Sequence, residues 1–309
     1  MSAQTQKTAF VTGASSGIGK ALAKELFFKG FKVFAGARRL KNMTDLKDLG
    51  IHTLELDVTS DESVGNALTY IRKESGGRLD FLFNNAGTSC TFPAMDLNVA
   101  DAEACFAVNF FGVIRVTKLF LPLLIEAKGT VVQTGSVAAK LPFPFGSVYS
   151  ASKAALHQYS DVLRIELAPF EVKVVTLIVG GVLTNIADDR PLPKDSLYID
   201  IEADGVQARR TMAKDNNPMP PNVFAERVVR KLTTPALPPR TIWDGHGALL
   251  VWFLDLFVPR FLIALAFAKR FKLTRLAALV QAKKAKSELK KKKNYETLVL
   301  FVCYIFLLF

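Results

Sequence analysis

Tyr149 and Lys153 stand four residues apart in the segment Tyr149-Ser-Ala-Ser-Lys153, with Ser136 upstream. A phenol, a cation and a hydroxyl so spaced can move protons. If residues 147 to 168 form a helix, positions 149 and 153 are one turn apart and their side chains share a face. A free phenol titrates near ~10. An ammonium ~4 Å away, at an effective dielectric of ~20, favours the phenolate by at most roughly 4 kcal/mol, or about three pKa units. That predicts a Tyr149 pKa near ~7, where general acid-base catalysis is efficient. The same spacing also occurs on solvated helix surfaces, so the pair acquires meaning only from the elements that position it.

Short apolar runs alternate with longer helical patterns over the first 180 residues. Strands are predicted at Thr8 to Val11, Lys32 to Gly36, Thr53 to Leu56, Leu79 to Phe83, Thr130 to Gln133, Val172 to Val179 and Thr241 to Trp243, the first six reading as buried on both faces. Helices are predicted from Gly17 to Lys29, stopping at Gly30, from Ser60 to Glu74, opened by Thr59-x-x-Glu62 and closed by Gly76-Gly77, and from Asn222 to Leu232. The alternation predicts an α/β fold, a Rossmann-type doubly wound parallel sheet with helices on both faces, over residues 1 to 247. Residues 185 to 221 break the rhythm with five prolines among many charges. So long a stretch inside a compact domain is expected to be a substrate-facing loop or lid.

The first strand runs into Thr12-Gly-Ala-Ser-Ser-Gly-Ile-Gly19 and then a helix. A dinucleotide pyrophosphate requires that placement. Gly13 permits the tight turn, Gly17 lets the backbone approach the phosphates, and Gly19 allows close helix-strand packing, with Ser15 and Ile18 completing the loop. At the end of the second strand, where an acid would hold an NAD ribose, stand Ala37, Arg38 and Arg39. Without a carboxylate to repel it, a 2′-phosphate can bind a guanidinium, so NADPH is the expected cofactor. The alternative is two ordinary surface arginines.

Together these residues resemble the short-chain dehydrogenases/reductases over roughly residues 7 to 245. The resemblance rests on the glycine loop, Asp57, Asn84-Asn85-Ala86-Gly87, and the set Asn109, Ser136, Tyr149 and Lys153. It implies that Tyr149 exchanges a proton with a carbonyl oxygen held by Ser136. Lys153 would lower the phenol pKa and bind the nicotinamide ribose, and Asn109 would anchor a proton-relay water. Asp57 and Val58 are expected to border the adenine, with Asn85, Ala86 and Gly87 in the cofactor cleft. Val179 stands where the family often has proline, while Gly180, Val182 and Thr184 remain. Nicotinamide contacts are therefore expected from Val182 and Thr184, on a turn that lacks proline's rigidity.

Three segments, 84–96, 143–157 and 210–220, are similar to fungal members of the family. Those members reduce the ketone of 1-acyl-dihydroxyacetone phosphate to lysophosphatidic acid with NADPH, in glycerolipid synthesis on the endoplasmic reticulum and lipid droplets. A lipid substrate with a phosphate head group is thus expected, and Arg190, Lys194, Arg209, Arg210 and Lys214 are cations available to it. A steroid, retinoid or sphingoid ketone stays open. So does a homo-oligomer packed on the small residues Ala151, Ala154 and Ala155.

The net charge of +12 is unevenly placed. Eleven basic residues lie between Lys269 and Lys293 against the single acid Glu288, which leaves the rest nearly neutral. Few aromatics interleave with them and apolar sequence flanks them, so an anionic membrane surface or lipid-droplet monolayer is expected rather than nucleic acid. Residues 248 to 268 are apolar except for Asp255, Pro259 and Arg260. A helix of that length would reach about 31 Å, but a central Arg costs roughly 2.5 to 3.5 kcal/mol in a membrane. A hairpin or interfacial element is expected, the alternative being a helix packed on the protein or a partner. Leu298 to Phe309 is too short to span and reads as a second shallow anchor or as a terminus without a specific role. Residues 248 to 309 thus form a membrane-associating extension, and with no secretory signal the body is expected in the cytosol. Three scattered cysteines and three scattered histidines predict neither a disulfide frame nor a metal site.

Gly13-Ala-Ser15-Ser-Gly17 also fits the G-x-S-x-G elbow of lipases and esterases, with His157 or His246 as a following base. In that reading Ser15 would occupy the phosphate-binding turn.

Overall fold

A computed structural model describes residues 6–184, 188, 190–234 and 238–306, with side chains up to Leu300. Strands β1 (Thr8–Thr12), β2 (Lys32–Ala37), β3 (His52–Glu55), β4 (Phe81–Asn84), β5 (Thr130–Thr134), β6 (Lys173–Val179) and β7 (Thr241–Asp244) form one sheet in the order β3-β2-β1-β4-β5-β6-β7. Every pairing is parallel. The strand order reverses between β1 and β4, which opens a crevice at their carboxyl ends. β1, β4 and β5 are buried throughout because helices cover both faces. β3 departs from the expected burial: it is an edge strand, partly buried, with Glu55 exposed.

One face carries α1 (Gly17–Phe28), α2 (Thr44–Asp48) and, later in the chain, a helix at 221–233, packed through Leu22, Leu26, Phe224 and Val228. The other carries α3 (Asp61–Ser75), α4 (Val99–Phe106), α5 (Gly112–Ala127) and α6 (Ser147–Glu166), packed through Ile71, Phe120 and Leu163. The cap of α3 is Ser60, whose hydroxyl accepts from Ser63 N at 3.2 Å. Thr59, the residue expected to cap, instead donates to Asp57. Gly76 ends the helix in the left-handed conformation, φ 65°. The run Val99–Ala127 is long and apolar enough to cross a membrane by length and composition. Val116, Phe120 and Leu124 within it are nevertheless buried against the sheet.

The segment expected as an irregular loop is partly helical. It contains turns over Ile199–Ile201 and Glu202–Val206, then α7 (Gln207–Asp215), and leads to α8 (Pro221–Thr233). Leu192, Ile201 and Val206 give it an apolar interior shared with Phe92, Phe145 and the distant Phe271. Residues 185–187 and 189 of the loop lie outside the described residues.

The C-terminal extension folds as α9 (Ala248–Phe257), α10 (Arg260–Arg270) and α11 (Leu273–Phe306). Pro259 has no N–H to continue α9, so the apolar stretch breaks there as expected. Arg260 closes the break by pairing with Asp255 at 2.6 Å and donating to the Lys140 carbonyl. One face of the pair packs on the body through Val251, Ile263 and Leu141. The opposite face leaves Leu249, Leu250, Phe253, Leu256, Phe257, Phe261 and Leu265 exposed. The expected anchor at Leu298 to Phe309 begins as the end of α11; its side chains beyond Leu300, and residues 307–309, lie outside the described residues.

Candidate active site

At the sheet reversal, the Thr12 hydroxyl accepts from Asn85 N and Ala86 N, both at 3.0 Å, and reaches the Phe83 carbonyl at 3.2 Å. This stitches the ends of β1 and β4 into one floor. The Asn85 amide donates to the Thr12 carbonyl at 3.1 Å, so its side chain shapes the glycine loop. A Cβ on Gly19 would lie 2.4 Å from both the Asn85 Nδ2 and the Gly13 carbonyl oxygen. Ser16 makes no side-chain cap at α1, and the first turn of α1 carries no acid. Its leading N–H groups thus remain open to an anion beside Ser15, Gly17 and Ile18. The Thr184 methyl group overhangs this turn, 3.1 Å from where a Gly17 Cβ would be.

Arg38 and Arg39 follow β2 and are exposed, with no carboxylate partner among the described residues. Asp57 lies close enough to Arg38 to feel its charge. Its carboxyl is held below the usual range first by the Thr59 hydroxyl and N–H, at 2.7 and 2.9 Å, both on Oδ1. Val58 is buried beside it, against Gly112. A dinucleotide with a 2′-phosphate fits these residues: an open helix end for the pyrophosphate, an adenine edge at Asp57 and Val58, and guanidinium groups beyond.

Asn109 sits in a π turn, Ala107–Phe111, between α4 and α5 and is fully buried. Such wide turns recur at functional sites because they re-aim side chains. Its Oδ1 accepts from Thr88 N at 2.8 Å, and Nδ2 donates to the Thr88 carbonyl and Ser152 Oγ at 3.0 and 3.1 Å. Ser136 follows β5; its Oγ accepts from Ala138 N at 3.1 Å, which leaves its own hydrogen to donate elsewhere. The Ser136 hydroxyl lies near enough to the Tyr149 phenol to favour its ionised form. Lys153 Nζ donates to the Thr134 carbonyl at 2.8 Å and lies 3.7 Å from where a Gly87 Cβ would be. The four residues are thus brought together, with Gly87 on the cofactor side.

The expected lowering of the Tyr149 pKa toward ~7 is not what this arrangement produces. Burial pushes the phenol pKa up, opposed by the Ser136 hydrogen bond and the Arg209 charge. Burial also pushes the Lys153 amine down, to about 8. Desolvation outweighs the Coulombic attraction, and Lys153 stands 6.0 Å from the centre of the Tyr149 ring with one N–H donated to the Thr134 carbonyl.

The short chain dehydrogenase pattern matches residues 7–194. The chain belongs to the short-chain dehydrogenase family. It is 43% identical over 289 residues to the NADPH-dependent 1-acyldihydroxyacetone phosphate reductase of Saccharomyces cerevisiae, covering 92% of this chain and 97% of that one. The protein of the same name from Schizosaccharomyces pombe is 38% identical over 264 residues, covering 79% and 87%. Among solved structures, a short-chain dehydrogenase from Streptomyces avermitilis superposes with a TM-score of 0.71 at 27% identity, covering 92% of this chain and 98% of that one.

In this short-chain dehydrogenase the turn after β6 is rigid without its proline. Gly180 N donates to Asp244 O at 2.9 Å, Gly181 and His246 exchange backbone bonds at 2.8 and 3.0 Å, and Met219 N donates to Gly181 O at 3.0 Å. A Cβ on Gly180 would lie 2.4 Å from His246 O. Val182 turns its side chain into the core, so only its backbone can face a nicotinamide. The esterase arrangement is not assembled: His157 Nε2 accepts from Ser136 N at 3.2 Å and His246 packs on Gly181, so neither serves Ser15.

Sequence reasoning missed the supporting residues. His157 orients Ser136, and burial pushes its imidazole down to about 3. Its signal was periodicity: positions 149, 153 and 157 share one helical face. Thr12 and Ser152 had signals of the same kind, polar residues at buried positions.

Proposed function

We propose that this short-chain dehydrogenase reduces the ketone of 1-acyl-dihydroxyacetone phosphate to lysophosphatidic acid, at the cytosolic face of the endoplasmic reticulum membrane and of lipid droplets. The cofactor is NADPH, which supplies hydride to the carbonyl carbon. Ser136 donates its free hydrogen to the carbonyl oxygen, and Tyr149 delivers the proton as charge develops there. Lys153, with its pKa lowered to about 8, is positioned to pass a proton on near neutral pH.

The extent of the match to the S. cerevisiae reductase carries this reading. It runs over 289 residues, more than the 247 that precede the extension, so the likeness continues into the C-terminal helices. NADPH oxidation by the purified full chain tests it. Acyl-dihydroxyacetone phosphate is expected to be the best of a panel that includes steroid, retinoid and sphingoid ketones, and Tyr149→Phe to lower kcat by ~10²- to 10⁴-fold. Preference for another ketone, or Ser15-dependent ester hydrolysis without ketone reduction, would redirect the assignment.

The outward apolar faces of α9 and α10, beside the basic α11, support the membrane part of the proposal. Flotation with anionic vesicles is expected for the native chain and not for a variant carrying Leu250→Glu, Phe257→Glu and Phe261→Glu. Equal flotation would place the contact elsewhere. A homo-oligomer through α6, where Ala151 and Ala154 are exposed, belongs to the same proposal.

A further inference from the structure

Five cations lie between residues 190 and 214, and four are matched or solvated. Arg190 pairs with Asp188 and Asp101 at 2.9 and 2.7 Å. Arg210 donates to the Arg190 carbonyl and lies 3.6 Å from Glu202. Lys194 and Lys214 are exposed. Arg209 is only 9% exposed, yet no carboxylate pairs with it among the described residues, and its Nε is buried without any hydrogen-bond partner. A buried charge without a counter-charge is costly. Burial accordingly pushes its pKa down to about 10, with only the Tyr149 phenol opposing.

The position of this cation is as informative as its isolation. The guanidinium lies over the Phe143 ring at 5.5 Å, and its Nη2 is 3.2 Å from where a Gly146 Cβ would be. Gly146 is the N-cap of α6, where no side chain caps the helix and the first turn carries no acid. The partial positive charge of a helix N-terminus and a desolvated guanidinium therefore meet at one place, which disfavours both unless an anion joins them. Tyr149 occupies that same first turn, and the Arg209 charge reaches its phenol. In an acyl-dihydroxyacetone phosphate, three bonds of roughly 1.5 Å separate the ketone carbon from phosphorus, so the phosphate must lie within about 4 Å of the reacting carbon. Of the five cations, only Arg209 figures among the charges acting on the phenol.

We propose that Arg209 and the open N-terminus of α6 form the subsite for the substrate's phosphate monoester. The assignment rests on the ketone-reduction reading above and makes Arg209 a specificity-determining residue. A Cβ at Gly146 would press on the guanidinium at 3.2 Å and shift it by a few tenths of an ångström. The same cation offsets the dianion's tendency to raise the phenol pKa further, so it acts on the chemical step as well as on binding.

The test compares native chain, Arg209→Gln and Arg209→Lys on two ketones that differ only in the phosphate: 1-acyl-dihydroxyacetone phosphate and 1-acyl-dihydroxyacetone. Arg209→Gln is expected to lower kcat/KM for the phosphate ester by at least ~30-fold more than for the alcohol, equivalent to about 2 kcal/mol, the smaller fall on the alcohol reading the charge lost beside Tyr149. Arg209→Lys is expected to fall between, because it keeps the charge and loses the fork. The alcohol also reports on folding in the same variants. An equal fall on both ketones, or no fall on either, would overturn the subsite. Should the native chain reduce neither ketone, the ketone-reduction reading fails, and calorimetry with inorganic phosphate on NADP⁺-saturated protein decides the subsite alone. Saturable binding by the native chain that Arg209→Gln abolishes would uphold it; equal binding in both, or none in either, would not.

Discussion

The cofactor side and the substrate side of this molecule are built by different means. Around the glycine loop, position is set by backbone and by short polar side chains anchored on strand ends: Thr12 on Asn85 and Ala86, Thr184 over Gly17. On the substrate side, position is set by large side chains from distant parts of the chain. Phe271 reaches the core of the 192–206 region, its carbonyl meets Gly205, and Arg275 and Lys283 of α11 pair with Asp204 and Asp200. The first design fixes a cofactor with little tolerance for change. The second lets the pocket be re-cut by repacking, without disturbing the sheet.

Phe271→Ala tests that separation most severely. Removing a fully buried aromatic costs about 3–5 kcal/mol. The loss is expected to appear as a raised KM for the ketone and as proteolytic opening of residues 190–215, with the NADPH Kd unchanged. Gly19→Ala is the complement. A Cβ 2.4 Å from a backbone oxygen forces the loop to shift, at about 1–3 kcal/mol, and is expected to weaken NADPH binding while the 190–215 region keeps its protection. If either variant moves both readouts together, the two sides are one cooperative unit.

The same contrast explains what could be read in advance. All seven strands, the α3 stop at Gly76 and the meeting of the tetrad Asn109, Ser136, Tyr149 and Lys153 were legible because each depends on local pattern: apolar runs, a left-handed glycine, a fixed spacing on one helical face. The helical content of 199–215 was not legible, since Ile201 and Val206 are apolar for the sake of Phe271, some seventy residues later. The direction of the Tyr149 shift was misread for a related reason. Spacing reveals the charge of Lys153 but not how far both groups are desolvated. Val179 is a third case: the rigidity that a proline would have supplied locally is supplied by backbone pairing with Asp244, His246 and Met219.

The smallest expected effect concerns His157, which joins the tetrad to the sheet through Ser136. Its folded pKa of about 3 lies below the ordinary value of 6.5. Between those values the unfolded chain binds the extra proton and the folded chain does not, so stability falls as pH drops from ~6.5 toward ~3, by at most about 1.4 kcal/mol per pH unit. Lys153 contributes in the alkaline range instead: its folded value of about 8 against an ordinary 10.5 makes stability rise with pH between the two. Urea midpoints measured from pH 7 to 4.5 isolate the histidine. His157→Gln, whose amide oxygen can still accept from Ser136 N, is expected to flatten the acid slope and leave the midpoint at pH 7 nearly unchanged. Identical slopes in the two proteins would mean that His157 takes up its proton without unfolding, by releasing Ser136. The tetrad would then be as adaptable as the substrate side, and the contrast between the two halves would end at the glycine loop.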